Sequence, residues 1–363
     1  MEPESRVVRL SNRSRNIIDE IKDSPVGADY IKSVLRRGFF VVLGVVAIYA
    51  MQEQLREVLS AAERLRTIKP GWFAIMAIAQ TVSFACMWIL TKIVLPKVSW
   101  FVAITSQLAS NAVSRVVPGG AAIGGATLFR MLAVSGVDRA QAGGALASTS
   151  ILTTAGLFAI PASAGLLALA GAQIPDSLLQ AAFAGGALFV IFVVVGSISI
   201  RFTRPLRVFG EGLNWVWGRI GRLRKRDYSV NPDRLIEERD RLVSVVGPRW
   251  LKVLLAVAGK WAFDYFTLIA SLYGVGAQPR FSLVLLAYAG AAVLSMVPIT
   301  PGGFGFVEVG LTSILVLSGI SLQDATLATM AYRVASLWFP IIAGMGAWGL
   351  FTWQRPSLVA DAS

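Results

Sequence analysis

Long apolar runs recur along this chain, separated by short polar breaks. They lie near residues 34–52, 71–95, 98–117, 121–136, 142–171, 178–200, 250–273, 281–299, 305–320 and 325–351. Several hold about 20 residues almost without charge, enough to cross ~30 Å of hydrocarbon at 1.5 Å per residue. The pattern predicts an all-α polytopic membrane protein. Composition points the same way: of 363 residues, 55% are hydrophobic and 15% charged, whereas a soluble domain is about a quarter charged.

The polar stretches divide the chain. Residues 1–37 mix both charge signs and precede any apolar run, which starts at Gly38; they read as a cytoplasmic tail rather than a secretory signal peptide. Residues 53–69 alternate Glu with Arg and predict an interfacial helix. The first membrane half is 38–200 and the second 250–352, with a short C-terminal tail at 353–363. Between the halves, 201–249 carries 12 Lys/Arg and six acids, including Arg222, Arg224, Lys225 and Arg226. That stretch reads as a solvated cytoplasmic loop, or as a docking surface for anionic lipid or a lipid-modifying partner enzyme.

Sliding the sequence against itself gives a match at an offset of 183 without a gap, between repeat cores 71–171 and 254–354. Val117-Pro118-Gly119-Gly120 falls on Thr300-Pro301-Gly302-Gly303, and Leu132–Val137 falls on Leu315–Ile320. Each half then reads as a span, two apolar segments joined at Pro-Gly-Gly, and a span. Proline lacks the amide hydrogen and glycine the side chain, so the tripeptide interrupts a helix. Two readings follow: interfacial turns between full spans, or a pair of re-entrant hairpins whose tips lie inside the membrane. Matching positions in the two halves favour the hairpins and the inverted-repeat plan of transporters. The expected architecture is about six full spans plus two hairpins.

Charge orients this plan. With the N-terminus inside, the cytoplasmic segments hold 24 Lys/Arg and the outer segments five, as the positive-inside rule requires. Both termini are then cytoplasmic, and the unpaired span at 178–200 inverts the second half relative to the first.

Seven charges remain within apolar segments: Arg115, Arg130, Lys252, Lys260, Arg333, Asp264 and Glu308. Each costs about 2.5–3.5 kcal/mol or more at a helix centre and needs a partner or water. Lys252 lies near a span end and snorkels. Lys260 and Asp264 are four apart on one helix and form an intramembrane ion pair, structural or functional. Arg115 and Arg130 bracket the first Pro-Gly-Gly, Glu308 follows the second, and Arg333 lies on the last span. Arg115 snorkelling and a structural Glu308–Arg333 pair are the bland alternatives. The sharper expectation is one cavity at the hairpin tips with four cations facing two acids. Its natural guest is an anion, for an amphiphile a phosphate head group, which arginine holds bidentately. Arg115, Arg130 and Arg333 would hold the phosphate. Glu308 would hold a cationic substituent, carry a proton or orient an arginine.

Other chemistries drop out. There is no histidine, which removes Ser-His-Asp triads, His acid–base catalysis and the usual zinc sites. Cys86 is alone, so no internal disulfide or CxxC motif forms. No metal or other cofactor and no enzymatic activity are expected. The net charge of +13 fits anionic lipid, and no nucleic-acid-binding module is visible.

Pro301-Gly302-Gly303-Phe304-Gly305-Phe306-Val307-Glu308 resembles the PGGxGxxE motif of the lysylphosphatidylglycerol synthase transmembrane region, the flippase-type domain of MprF-like and UPF0104 proteins. The segment from Asn111 to Arg130 is similar to the family's other motif, an Asn, then Pro-Gly, then a downstream Arg; this resemblance adds Asn111 to the candidate substrate-binding residues. It covers roughly residues 35–352. Where the family's first motif often has a carboxylate after a Gly, this chain reads Gly124-Gly125-Ala126, which favours anions further. The resemblance implies translocation of a lipid between leaflets of the bacterial inner membrane, the lipid being an aminoacyl-phospholipid or a lipid-linked sugar. The soluble synthase domain, and with it synthase activity, is not expected in this sequence. A scaffold recruiting a lipid- or glycan-modifying enzyme, or an intramembrane lipid-modifying transferase, are the competing readings. Gly143-Gly144 and Gly185-Gly186 permit close helix packing, within one chain or in a homo-oligomer.

Overall fold

Helix boundaries fall where caps and breakers put them. The computed structural model describes residues 63–117, 120–169, 176–204, 232–295 and 301–360, with Gln52 and parts of 207–215. These residues are helical apart from short connections. The N-terminal tail, most of the first run at 34–52, Pro118 and Gly119, the cluster Arg222–Arg226 and residues 361–363 lie outside them.

The first repeat comprises α1 (Pro70–Val94), α2 (Trp100–Val116), α3 (Gly120–Val134) and α4 (Arg139–Leu169). Pro70 opens α1 where a missing amide hydrogen costs nothing, and Ser99 caps α2 by accepting the Val102 N–H at 3.2 Å. Next come α5 (Asp176–Arg201) and α6 (Pro232–Val246). The second repeat comprises α7 (Trp250–Gly274), α8 (Phe281–Ser295), a tight turn at Pro301–Gly303, α9 (Phe306–Leu317), α10 (Leu322–Arg333) and α11 (Phe339–Ala360). A five-residue π turn, Val334–Trp338, joins α10 to α11.

The internal repeat is visible at the level of single hydrogen bonds. At the end of α3 the Ser135 and Val137 N–H groups donate to the Leu132 carbonyl, both at 3.1 Å. At the end of α9, 183 residues later, Ser318 and Ile320 donate to Leu315 at 3.1 and 3.2 Å. The glycines between them have φ of 82° at Gly136 and 90° at Gly319, the left-handed closure that ends a helix. Asp138 and Ser321 then cap α4 and α10 at equivalent positions. Leu128, Leu132, Ala142 and Ala145 are buried, as are their counterparts Leu311, Leu315, Ala325 and Ala328.

The gapless register holds only there. α1 and α7 match at an offset of 180, and α2 and α8 begin 181 apart. The slip sits in connections, which absorb a change of length that packed helices do not.

Equivalent helices run in opposite directions. Trp72 stacks on Tyr273, Thr267 donates to Gln80, Ser83 donates to the Lys260 carbonyl, and Cys86 abuts Gly259. Numbers rise along α1 as they fall along α7, so the pair is antiparallel, and it is in contact from end to end. The other contacts exchange in the same way: α2 packs on α11, and α8 on α4.

This is an all-α polytopic membrane protein. Among the described residues, four helical stretches are long and apolar enough to span: Pro70–Val94, Arg139–Ser163, Gly247–Gly274 and Leu322–Gln354. The paired helices α2, α3, α8 and α9 have 17, 15, 15 and 12 residues. At 1.5 Å per residue they are about 18–26 Å long, short of a ~30 Å hydrocarbon core. Outward apolar side chains such as Phe183, Ile191 and Val195 on α5 and Ile342 and Met345 on α11 are exposed, as a lipid-facing surface requires. Within the 201–249 stretch, α6 packs on α1, α4 and α5, and Arg239 donates to the Ser199 carbonyl near the end of α5 at 3.3 Å.

Gly136→Ala and Gly319→Ala each force a side chain into the left-handed region, at about 1–2 kcal/mol. Thermal unfolding in detergent is expected to show similar losses at the two positions.

Candidate functional site

The polar residues of the long helices converge at one level. A cavity of about 510 Å³ is walled by Gln80 and Ser83 of α1 and Lys260 and Asp264 of α7. It lies beside this helix pair, at half its height. Gln107, Asn111, Ser114 and Arg115 of α2, Thr153 and Thr154 of α4, Ser295 of α8 and Arg333 add to the polar wall, with Gly120, Gly302 and Gly303 beside them. Gly120, the last residue of the first Pro-Gly-Gly, and Gly302 and Gly303 of the second therefore border the same space. Their proximity is direct: a Cβ on Gly302, whose φ is +60°, would stand 3.0 Å from the Arg115 carbonyl oxygen. Glycine is needed there for the backbone conformation and for the close approach of α2.

Arg333 ties the second break together. Its Nε donates to Glu308 Oε1 at 2.5 Å, its Nη2 donates to the Gly302 carbonyl at 2.9 Å, and its guanidinium lies 4.8 Å from the Phe304 ring centroid. One arginine thus satisfies a carbonyl freed by the tripeptide, and a glutamate from α9 neutralises that arginine. Glu308 Oε2 is buried without a hydrogen bond among the described residues.

Across the cavity, Lys260 Nζ lies 3.7 Å from Asp264 Oδ2 and 3.0 Å from the Trp261 ring centroid. Asp264 also accepts the Tyr288 hydroxyl at 2.8 Å and the Tyr332 hydroxyl at 3.5 Å. Arg115 differs. Its Nε donates to Asn111 Oδ1 at 2.7 Å, but among the described residues it forms no ion pair. Each acid is matched by a cation, and Arg115 is the positive charge left over.

This arrangement revises two expectations. Arg130 is exposed and does not line the cavity; ten residues past Gly120, it lies about 15 Å along α3 from the break. Glu308 stands behind Arg333 rather than on the cavity wall. Three cations therefore face two acids, where four were counted from sequence. Lys252 is exposed. The Lys260–Asp264 pair and Asn111 do belong to the cavity. Sequence reasoning missed Gln80, Gln107, Thr153, Thr154 and the two tyrosines; the signal available was a glutamine inside each of two apolar runs.

A polar, net-cationic chamber at mid-height of an antiparallel helix pair defines a polytopic α-helical membrane protein with a solute-sized interior site. The chain belongs to the family described as Lysylphosphatidylglycerol synthase TM region, whose profile matches residues 37–344. A stretch of 106 residues is 28% identical to a UPF0104 membrane protein of Methanothermobacter thermautotrophicus, covering 29% of this chain and 28% of that protein. The chain thus spans little more than a quarter of the curated relative it matches.

Arg333→Ala strands Glu308 as an unpaired, largely enclosed charge, at a cost of about 3–5 kcal/mol. Replacing both at once, Arg333→Met with Glu308→Leu, is expected to recover the part of the loss due to the stranded charge in a detergent melt, but not the part due to the Gly302 carbonyl, which still lacks its donor.

Proposed function

We propose that this protein moves a lipid with an anionic phosphate head group between the leaflets of a bacterial inner membrane. In this reading α2–α3 and α8–α9 are re-entrant hairpins entering from opposite faces, and the head group occupies the chamber between their breaks. The observation that carries the reading is Arg115, a cation with no carboxylate partner among the described residues, lining with Arg333 a polar space at mid-height of α1 and α7. Holding that charge in hydrocarbon costs about 2.5–3.5 kcal/mol or more, and a phosphate offsets it with bidentate hydrogen bonds.

The antiparallel relation of the repeats suits alternating access, in which the same chamber opens first to one face and then to the other. Charge distribution supports cytoplasmic termini, with 24 Lys/Arg in the inner segments against five in the outer. A transporter fits better than an enzyme, because Asp264 and Glu308 are both held by cations and neither is free to act as a general base.

The test is transbilayer movement of a fluorescent phosphatidylglycerol in proteoliposomes, read by quenching of the outer leaflet. Arg115→Ala is expected to slow movement tenfold or more, the scale of one charge-assisted hydrogen bond at about 1.5–3 kcal/mol. Arg130→Ala, lying off the chamber, is expected to leave it unchanged. Wild-type movement in folded Arg115→Ala protein would sink the proposal.

A further inference from the structure

The chamber's uncommitted groups narrow the head group further. Among the described residues, Asp264 is engaged by Lys260, Tyr288 and Tyr332, and Glu308 by Arg333 with its second oxygen enclosed. An ammonium entering the chamber would meet three cations and no spare carboxylate. What remains open to a ligand is one positive charge, on Arg115, and a set of neutral polar groups. Gln80 uses its carbonyl to accept from Thr267 at 3.4 Å, and Asn111 uses its own to accept from Arg115, so each keeps an NH2 donor. Gln107 donates to Thr91 at 3.1 Å and keeps its carbonyl as an acceptor, and the Thr154 hydroxyl can do either.

A hydroxyl group both donates and accepts, so a mixed set of neutral donors and acceptors matches a polyol. An ammonium only donates, and it would leave the two amide NH2 groups facing it unsatisfied. The volume of about 510 Å³ lies within the range of about 300–1,000 Å³ usual for pockets that enclose a small organic group.

Resting on the transport reading above, we infer that the chamber selects a phosphodiester head group of net charge −1 that carries neutral hydroxyls, a glycerol or a sugar, and rejects head groups bearing an ammonium. Selection comes from the single unmatched cation and the neutral amides; rejection comes from cations with no acid to spare. Specificity of this kind is a difference of two affinities, with repulsion of the wrong head group contributing as much as attraction of the right one.

The experiment compares three fluorescent lipids of identical chains in the same proteoliposomes: phosphatidylglycerol, phosphatidylethanolamine and lysyl-phosphatidylglycerol. Phosphatidylglycerol is expected to move about tenfold faster than either ammonium-bearing lipid, a difference equivalent to one good hydrogen bond to a charged group. Asn111→Asp places a carboxylate beside Arg115 and neutralises it, so this variant is expected to lower the ratio toward one by slowing phosphatidylglycerol and sparing phosphatidylethanolamine. Arg115→Lys is expected to keep the preference. Equal movement of all three lipids by the wild-type protein would overturn the inference while leaving the transport reading intact. Movement of none above protein-free vesicles would overturn the transport reading and the inference with it.

Discussion

A break in a helix frees backbone carbonyls and amides, and in an apolar surrounding those groups need a partner from the protein itself. The bond from Arg333 to the Gly302 carbonyl meets that need at the second break, and most of the site's geometry follows from it. The carbonyl requires a donor, the donor is a cation, and the cation requires Glu308. Because Gly302 also abuts the Arg115 carbonyl, fixing this break fixes the end of α2 and so the position of the one unmatched charge. The chamber is thus organised from the backbone outward.

The two repeats share a frame and divide the chemistry unequally. Lys260 on α7 stands where α1 has Gln80, Arg333 stands where α4 has Ser150, and Glu308 where α3 has Gly125. The second repeat therefore supplies the paired charges, and the first supplies neutral amides and hydroxyls together with Arg115. A symmetric scaffold built from similar turns and similar buried leucines and alanines carries an asymmetric polar interior. This division gives the chamber a cationic side tied by ion pairs and a neutral side rich in free hydrogen-bonding groups.

What could be read from the sequence was whatever depends on neighbouring residues or on bulk hydropathy. The helical membrane class, the second Pro-Gly-Gly interruption and the Lys260–Asp264 pair at i,i+4 are local properties that the structure shows, while Pro118 and Gly119 of the first interruption lie outside the described residues. Glu308 and Arg333 are 25 residues apart, yet each is a lone charge in an apolar run, so scarcity of partners left their pairing as one of two readings, beside Glu308 lining the cavity. Arg130 misled because bracketing a motif in sequence says nothing about helix length: ten residues carry a side chain a full 15 Å or so away. The tyrosines on Asp264 were invisible because they arrive from α8 and α10, and no local signal distinguishes a tyrosine that donates inward from one that packs. The register slip between α1 and α7 escaped because identities at the later turns, where the offset is 183, dominated the comparison.

The antiparallel pairing of α1 and α7 has a mechanical consequence. Ser83 with Lys260 and Cys86 with Gly259 touch near the centre of both helices, Trp72 stacks on Tyr273 at one end, and Leu90 and Ile93 pack with Val253, Ala256 and Val257 at the other. A pair joined along its whole length behaves as one stiff beam, so the polar residues at its middle are braced by apolar packing above and below them.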